Sequence, residues 1–284
     1  MRVGQNPNRF QPAPYSFKDT IILVVTHLPC EEEAGYHAQR MEVVKTCLTS
    51  MRNGANREHT FMVWDNDSKS EFRDWLQHIF EPDVLIMSKN IGKNPARAAA
   101  IQMMPLSSIV AYSDDDFYYY NDWLNPQIKI LNHFSAQLVT GYPCRMMFRW
   151  ACKPTLDWSN KHGKLERGRF IPDEWEADYA LSIGREPEYH LKEFTKDTDY
   201  DYRVSYNGSQ AYCHGHHAQF VGYVSRLLPG LYSDNMAMSD ERKFDEEQSR
   251  LGLRLCTTER LCRHMGNVID DNLRKEIENA SMPI

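Results

Sequence analysis

The sequence predicts an α/β fold, a mostly parallel sheet flanked by helices, and three observations carry that prediction. Short apolar, β-branched runs alternate with longer segments of helical period through the first half of the chain. The runs are almost continuously apolar, as strands buried on both faces require. Several end in polar or acidic residues, which places reactive groups outside the carboxyl ends of the strands, where open α/β sheets bind ligands.

Residues 1–17 carry Asn, Gln and three prolines without periodicity and read as an extended N-terminal arm. The first strand is Thr20-Ile21-Ile22-Leu23-Val24-Val25-Thr26-His27, followed by a helix from about Ala34 to Asn53 that closes near Gly54. Thr60-Phe61-Met62-Val63-Trp64 runs into Asp65-Asn66-Asp67-Ser68, and Ser70 to Phe80 reads as the next helix. Asp83 to Met87 makes a third strand. The helix after it starts around Asn94, with Pro95 in the first turn, where proline's missing N–H costs nothing.

The fourth strand, Ser108 to Tyr112, ends in Ser113-Asp114-Asp115-Asp116-Phe117. Three adjacent carboxylates repel one another and are costly to gather unless a cation or a set of donors neutralises them. Alone, such a run reads as a solvated acidic turn. At the tip of a buried strand it reads as a site for a divalent metal carrying a phosphorylated ligand. Thr26, Asp65, Gly92 and Asp114 all fall at the same ends of the sheet.

Beyond Val139 to Tyr142, a further strand, residues from about Trp150 to Tyr206 lose periodicity and are rich in Trp, Tyr, Pro and charge. They read either as an insertion shaping a second substrate's pocket or as a surface excursion packed by its aromatics. Ser239 to Leu251 reads as a helix closed by Gly252, followed by a strand around Leu253 to Leu255 and a turn holding Arg263 to Gly266.

Length and composition narrow the class. At 284 residues the chain can bury a substantial core, and 42% hydrophobic with 25% charged residues is ordinary for a globular protein. A formal net charge of −6 supplies no general attraction to nucleic acid or anionic lipid. No apolar run is long enough to span a bilayer. Seven scattered cysteines fit reduced thiols, hence a cytoplasmic location.

In order along the chain, five segments resemble the GT-A glycosyltransferases, most closely the family-2 group of nucleotide-sugar-dependent enzymes. Val63-Trp64-Asp65-Asn66-Asp67-Ser68 is similar to that family's strand followed by Asp-Asn-Gly-Ser, with Asp67 where glycine is usual. Asn90-Ile91-Gly92-Lys93-Asn94-Pro95-Ala96-Arg97-Ala98-Ala99-Ala100-Ile101 is similar to its Asn-x-Gly-x-x-x-Ala-Arg-Asn-x-Gly segment, with Ala98 and Ala100 as departures. Asp114-Asp115-Asp116 stands in the place of its Asp-x-Asp motif. Asp240-Glu241 resembles its Glu-Asp pair with the two acids exchanged, and His264 falls where the family often has a late histidine. Each motif alone is weak; their order carries the resemblance.

The resemblance implies a GT-A (Rossmann-like) domain over residues 18–284, with a nucleotide-sugar-binding half at 18–125. An elaborated C-terminal acceptor-binding half at 126–284 would contain the insertion at about 150–206. It implies transfer of a sugar from a nucleotide diphosphate, UDP-linked first and GDP- or dTDP-linked next. The acceptor would be a hydroxyl of a soluble glycan, protein or modified nucleobase. Mn²⁺ or Mg²⁺ would be held by Asp116, Asp114 and His264. Thr26, His27, Asp65, Gly92, Arg97, Asp114 and Asp115 would contact the donor. Glu241, or its rival Asp240, would take the acceptor's proton, although acids at a helix start are also favoured by capping and the dipole alone.

Two other readings stand beside it. A nucleotidyltransferase shares the sheet and the carboxylates, but would carry a glycine-rich basic loop after the first strand, where this chain has His27-Leu28-Pro29-Cys30-Glu31-Glu32-Glu33. A non-catalytic nucleotide-sugar-binding scaffold would tolerate the altered motif positions. Cys213-His214-Gly215-His216-His217 also admits a zinc reading, weakened because consecutive histidines cannot all aim at one ion and no Cys-x-x-Cys accompanies them.

Overall fold

Strand β1 (Thr20–Thr26) is buried along its whole length and sits inside the parallel part of the sheet. The computed structural model describes residues 4, 16–30, 35, 37–149, 151–194, 200–231 and 241–281. Helix α1 (Arg40–Asn53) starts at Arg40 and closes at Gly54 as its sequence predicts; Ala34, its expected start, lies outside the described residues. Strand β2 (Thr60–Asn66) follows, then α2 (Ser70–Trp75), whose last turns loosen into a π-helical segment, Leu76–Phe80. Next come β3 (Val84–Ser88), α3 (Lys93–Gln102) and β4 (Ile109–Ser113).

These four strands pair in parallel in the order β3-β2-β1-β4, with Thr26 level with Asp65 and Val24 level with Ser113. The pleat sends Ile22 and Val24 to one face, against Val43, Leu48 and Phe72. It sends Ile21, Leu23 and Val25 to the other, against Ala96, Ala100 and Ile101. At about 1.5–3 kcal/mol for each large apolar side chain fully buried, both faces hold the strand ends in place.

Strand β5 (Phe117–Tyr119), helix α4 (Leu124–His133) and strand β6 (Leu138–Thr140) follow the acidic run. The stretch without periodicity holds α5 (Lys153–His162), β7 (Lys164–Gly168), α6 (Asp173–Ser182), α7 (Pro187–Phe194) and β8 (Asp201–Tyr206). Strands β9 (Ser209–Tyr212) and β10 (Gln219–Tyr223) and helices α8 (Val224–Leu227) and α9 (Glu241–Leu251) come next. The described chain closes with β11 (Arg254–Cys256), β12 (Cys262–His264) and α10 (Asp271–Ser281).

One ten-stranded sheet runs β3-β2-β1-β4-β10-β6-β11-β9-β8-β7, in which β10, β9 and β7 oppose the other seven strands. The sheet is thus mostly parallel and flanked by helices. The described part of the stretch at about 150–206 adds β7 and β8 to the sheet, where with β9 they form an antiparallel edge. The segment read as a turn at Arg263 to Gly266 is corrected in part: Cys262–His264 is a strand, paired antiparallel with β5 so that His264 lies opposite Phe117. A three-residue strand shows no period of its own, and only its partner reveals it.

Candidate active site

The acidic run leaves β4 with its backbone pinned, because the Asp114 N–H donates to the Ala218 carbonyl at 2.7 Å. Each of its three carboxylates then meets a basic side chain from a different element. Lys93 Nζ, from the first turn of α3, lies 3.1 Å from Asp114 Oδ2, and the Tyr112 hydroxyl donates to Asp114 Oδ1 at 2.7 Å. Arg40, at the start of α1, pairs with Asp115. His264 Nε2 lies 3.4 Å from Asp116 Oδ2, and its Nδ1 is fixed 2.7 Å from the Ser182 hydroxyl.

Burial sets the protonation of the three apart. It raises the Asp114 and Asp115 carboxyls, and Lys93 and Arg40 offset it only in part. Burial also opposes ionisation of Asp116, but His264, Arg40 and Lys93 outweigh it and hold that carboxyl down at about 2. Asp116 is therefore the most firmly anionic of the three.

Facing this tip, Glu241 opens α9. Lys93 Nζ lies 2.5 Å from its Oε1, and His217 Nε2 lies 3.2 Å from its Oε2. His217 Nδ1 lies 2.8 Å from Asp245, one turn further along the helix, and Asp245 is paired at 2.6 Å with Arg254. Burial works against the Glu241 carboxylate, yet His217 and Lys93 together keep it well below the usual range. Asp240 lies outside the described residues. The cleft of about 380 Å³ between these groups is lined by His27, Asn90, Gly92, Lys93, Asp114 to Asp116 and Glu241.

The strand tips on the other side are tied together by polar contacts. Thr26 and Asp65 are buried, with the Thr26 hydroxyl 3.5 Å from Asp65 Oδ1. Arg73 Nε donates to Asp65 Oδ2 at 2.6 Å and Arg73 also reaches the Ser88 carbonyl, which locks β2 to β3. His27 stands at the cleft, its Nδ1 2.8 Å from the Asn66 carbonyl oxygen and its Nε2 3.3 Å from the Asn90 amide. Gly92 has φ +90 at the head of α3, a conformation that side chains disfavour. Asp67, standing where glycine is usual, also has a left-handed φ of +73; aspartate is among the few residues that tolerate it, and Arg73 and Lys89 lie near its carboxylate.

Arg97 is placed differently from its expected position. It is buried, stacked over Tyr112 and Phe244, and donates to Asn94 and to the His217 carbonyl, so it braces α3 against α9 instead of facing the cleft. Residue types alone did not single out Arg40 or Lys93, which neutralise the site, or His217, which reaches Glu241. Lys93 follows Gly92 in a quoted segment, and His217 belongs to the cluster read as a zinc candidate. His214 and His216 of that cluster are buried, and burial lowers both, His214 to about 3.

Among the described residues no group of three or more His, Cys, Asp and Glu side chains could hold a metal ion by itself. Asp116 Oδ1 is buried without a hydrogen-bond partner, beside an imidazole. One oxygen and one nitrogen donor suit Mn²⁺ or Mg²⁺ only if phosphate oxygens and water complete the shell, which is how such ions commonly bind with phosphorylated substrates.

No protein-family model matches the sequence, and no curated protein matches it. Among solved structures, the chain is similar to S. aureus TarS 1–349, at 12% identity over 84% of this chain and 58% of that one, with a TM-score of 0.46. It is similar to GalNAc-T7 with UDP, GalNAc and Mn²⁺, at 10% identity over 88% of this chain and 44% of that one, with a TM-score of 0.47. For S. aureus TarS 1–349 with UDP-GlcNAc the values are 11%, 93%, 68% and 0.48. The chain thus spans about half the length of the first two structures.

Proposed function

We propose that this chain is a GT-A glycosyltransferase that moves a sugar from a nucleotide diphosphate, UDP-linked first, to an acceptor hydroxyl with inversion. The observation that carries the reading is Lys93. One ammonium touches both Asp114 at the β4 tip, 3.1 Å away, and Glu241 at the head of α9, 2.5 Å away. The two carboxylate groups that the sequence resemblance assigns to donor and acceptor chemistry therefore share one cleft.

The residues divide the work as follows. His27, Asn66, Asn90 and the Gly92 backbone form the side of the cleft offered to the nucleotide, and the buried Asp65–Arg73 pair keeps those strand tips in register. Asp116 and His264 would hold Mn²⁺ or Mg²⁺, with Asp114 as a further ligand once Lys93 leaves it. Such an ion, when bound, supplies Lewis-acid stabilisation of the charge that gathers on the departing diphosphate. Lys93 stands where its ammonium can turn to the same charge. Glu241 takes the proton of the acceptor hydroxyl as that oxygen attacks the anomeric carbon.

A glycan, a protein side chain or a modified nucleobase each offers such a hydroxyl, and the net charge of −6 favours no polyanion in general. The test is Glu241→Gln. Affinity for the nucleotide sugar is expected to stay unchanged and turnover to fall about 10²–10⁴-fold, the contribution of a positioned general base. Turnover equal to the parent's would move the base elsewhere.

A further inference from the structure

The side chain behind Glu241 carries a second assignment, which rests on the glycosyl-transfer reading above. His217 lies in the buried segment between β9 and β10, and its carbonyl is held by Arg97 at 3.2 Å. Its two ring nitrogens face two carboxylates of the same helix, Glu241 at 3.2 Å and Asp245 at 2.8 Å. An ionised carboxylate only accepts hydrogen bonds, so both nitrogens donate and the ring carries its second proton.

Helix attachment alone does not require this. Arg254 already pairs with Asp245 at 2.6 Å, and Phe244 already packs α9 onto the sheet. What His217 adds is a fixed partner for one oxygen of the one carboxylate in this group that lines the cleft. A glutamate side chain has several rotatable bonds, and a misplacement of about 1 Å in a reacting group can cost about 10²-fold in rate.

We propose that His217, oriented by Asp245, is the positioning residue of the base: it holds Glu241 Oε2 so that Oε1, which Lys93 holds at 2.5 Å, faces the acceptor hydroxyl once that ammonium turns to the diphosphate. In the step, the acceptor's O–H proton passes to Glu241 Oε1 and the acceptor oxygen bonds to the anomeric carbon. The bond from that carbon to the diphosphate oxygen breaks, its electron pair leaving with the diphosphate. His217 keeps its proton throughout.

The groups around the ring agree with a retained charge. Glu241 and Asp245 face it from α9, while Arg254 from β11 acts through Asp245 and Lys93 from α3 through Glu241. Arg97 reaches only its backbone, and the adjacent His216 ring and nearby His214 are neutral. Burial disfavours the charged ring, but the two carboxylates outweigh it and raise the group to about 9.

The experiment compares the 284-residue chain with its His217→Gln and Asp245→Asn variants, using UDP-glucose and UDP-N-acetylglucosamine as donors and water as acceptor, and reading UDP release from pH 6 to 10. For His217→Gln, donor affinity by calorimetry stays within about twofold, kcat falls about 10²-fold, and the decline of wild-type kcat above pH 9 disappears. Asp245→Asn keeps the decline but moves it to lower pH. Independently of turnover, ¹⁵N-histidine NMR of the wild type shows one imidazole titrating near pH 9, and Glu241→Gln lowers it. Wild-type kcat in His217→Gln, an unchanged alkaline decline, equal losses of kcat and donor affinity, or no imidazole titrating above pH 8 would each overturn the assignment. A wild type that neither binds nor cleaves either donor removes the transferase reading itself, and this inference with it.

Discussion

Three histidines share one short segment and take two protonation states, because burial disfavours charge on all of them and only His217 touches two carboxylates. His214 and His216 stay neutral, whereas His217 is held charged between carboxylates. The consequence for stability has a definite sign on each side of neutrality. His214 has its folded pKa lowered to about 3, so the unfolded chain, near 6.5, binds the proton first and stability is lost as pH falls from 6.5 toward 3. His217 has its folded pKa raised to about 9, so its contribution is full below 6.5 and is lost as pH rises through 9. Urea midpoints are therefore expected to peak near pH 6–7 and decline toward both pH 4.5 and pH 9.5; a midpoint flat over that range would contradict both placements.

The candidate catalytic carboxylates were legible at this scale because a strand tip with three aspartates has few structural uses. Their cations were not, since Arg40 and Lys93 look like ordinary surface charges until α1 and α3 are folded against β4. Asp65 was legible as a strand-end acid, but its partner Arg73, eight residues on, emerges only with the turn between β2 and α2 in place.

Among the elements, the β5–β12 ladder does most to complete the site, because it sets His264 beside Asp116. Gly266, just past β12, has φ +65, and a methyl group there would lie 2.0 Å from the Ser182 carbonyl oxygen. Ser182 is also the hydroxyl that fixes His264. Gly266→Ala is predicted to lower stability by about 1–3 kcal/mol and to weaken Mn²⁺-dependent nucleotide binding, as β12 shifts from α6. Gly184→Ala serves as the control: φ is +70 there, but nothing lies within 4 Å, so only the local backbone cost of about 1 kcal/mol is expected, with binding intact. Equal binding by both variants would detach β12 from the site.

The elements also show where sequence patterns run out. β1, β2 and β4 are buried on both faces and announce themselves as apolar runs. β7 is an edge strand of alternating charge, Lys164-Leu165-Glu166-Arg167-Gly168, and α6 buries Glu176, Tyr179 and Ala180 without an apolar stripe. Glu176 is satisfied there by the Arg145 N–H at 2.6 Å and lies 3.2 Å from His190, contacts that no local period encodes.

For the whole molecule, the sheet carries the parallel strand ends and the antiparallel extension in one surface, so the cleft lies where β1 and β4 meet the helix heads of α3 and α9. Among the described residues no helix is long and apolar enough to cross a membrane. On the function proposed above, this cleft takes a nucleotide sugar with a divalent ion on Asp116. Its most direct test is calorimetric titration of UDP-glucose and UDP-N-acetylglucosamine into the wild type and Asp116→Asn, in Mn²⁺ and again in EDTA. The wild type is expected to bind at least one donor with an affinity that EDTA weakens by about tenfold or more, and Asp116→Asn to bind equally in Mn²⁺ and in EDTA. Binding unchanged by EDTA, or equally Mn²⁺-dependent in Asp116→Asn, would contradict it.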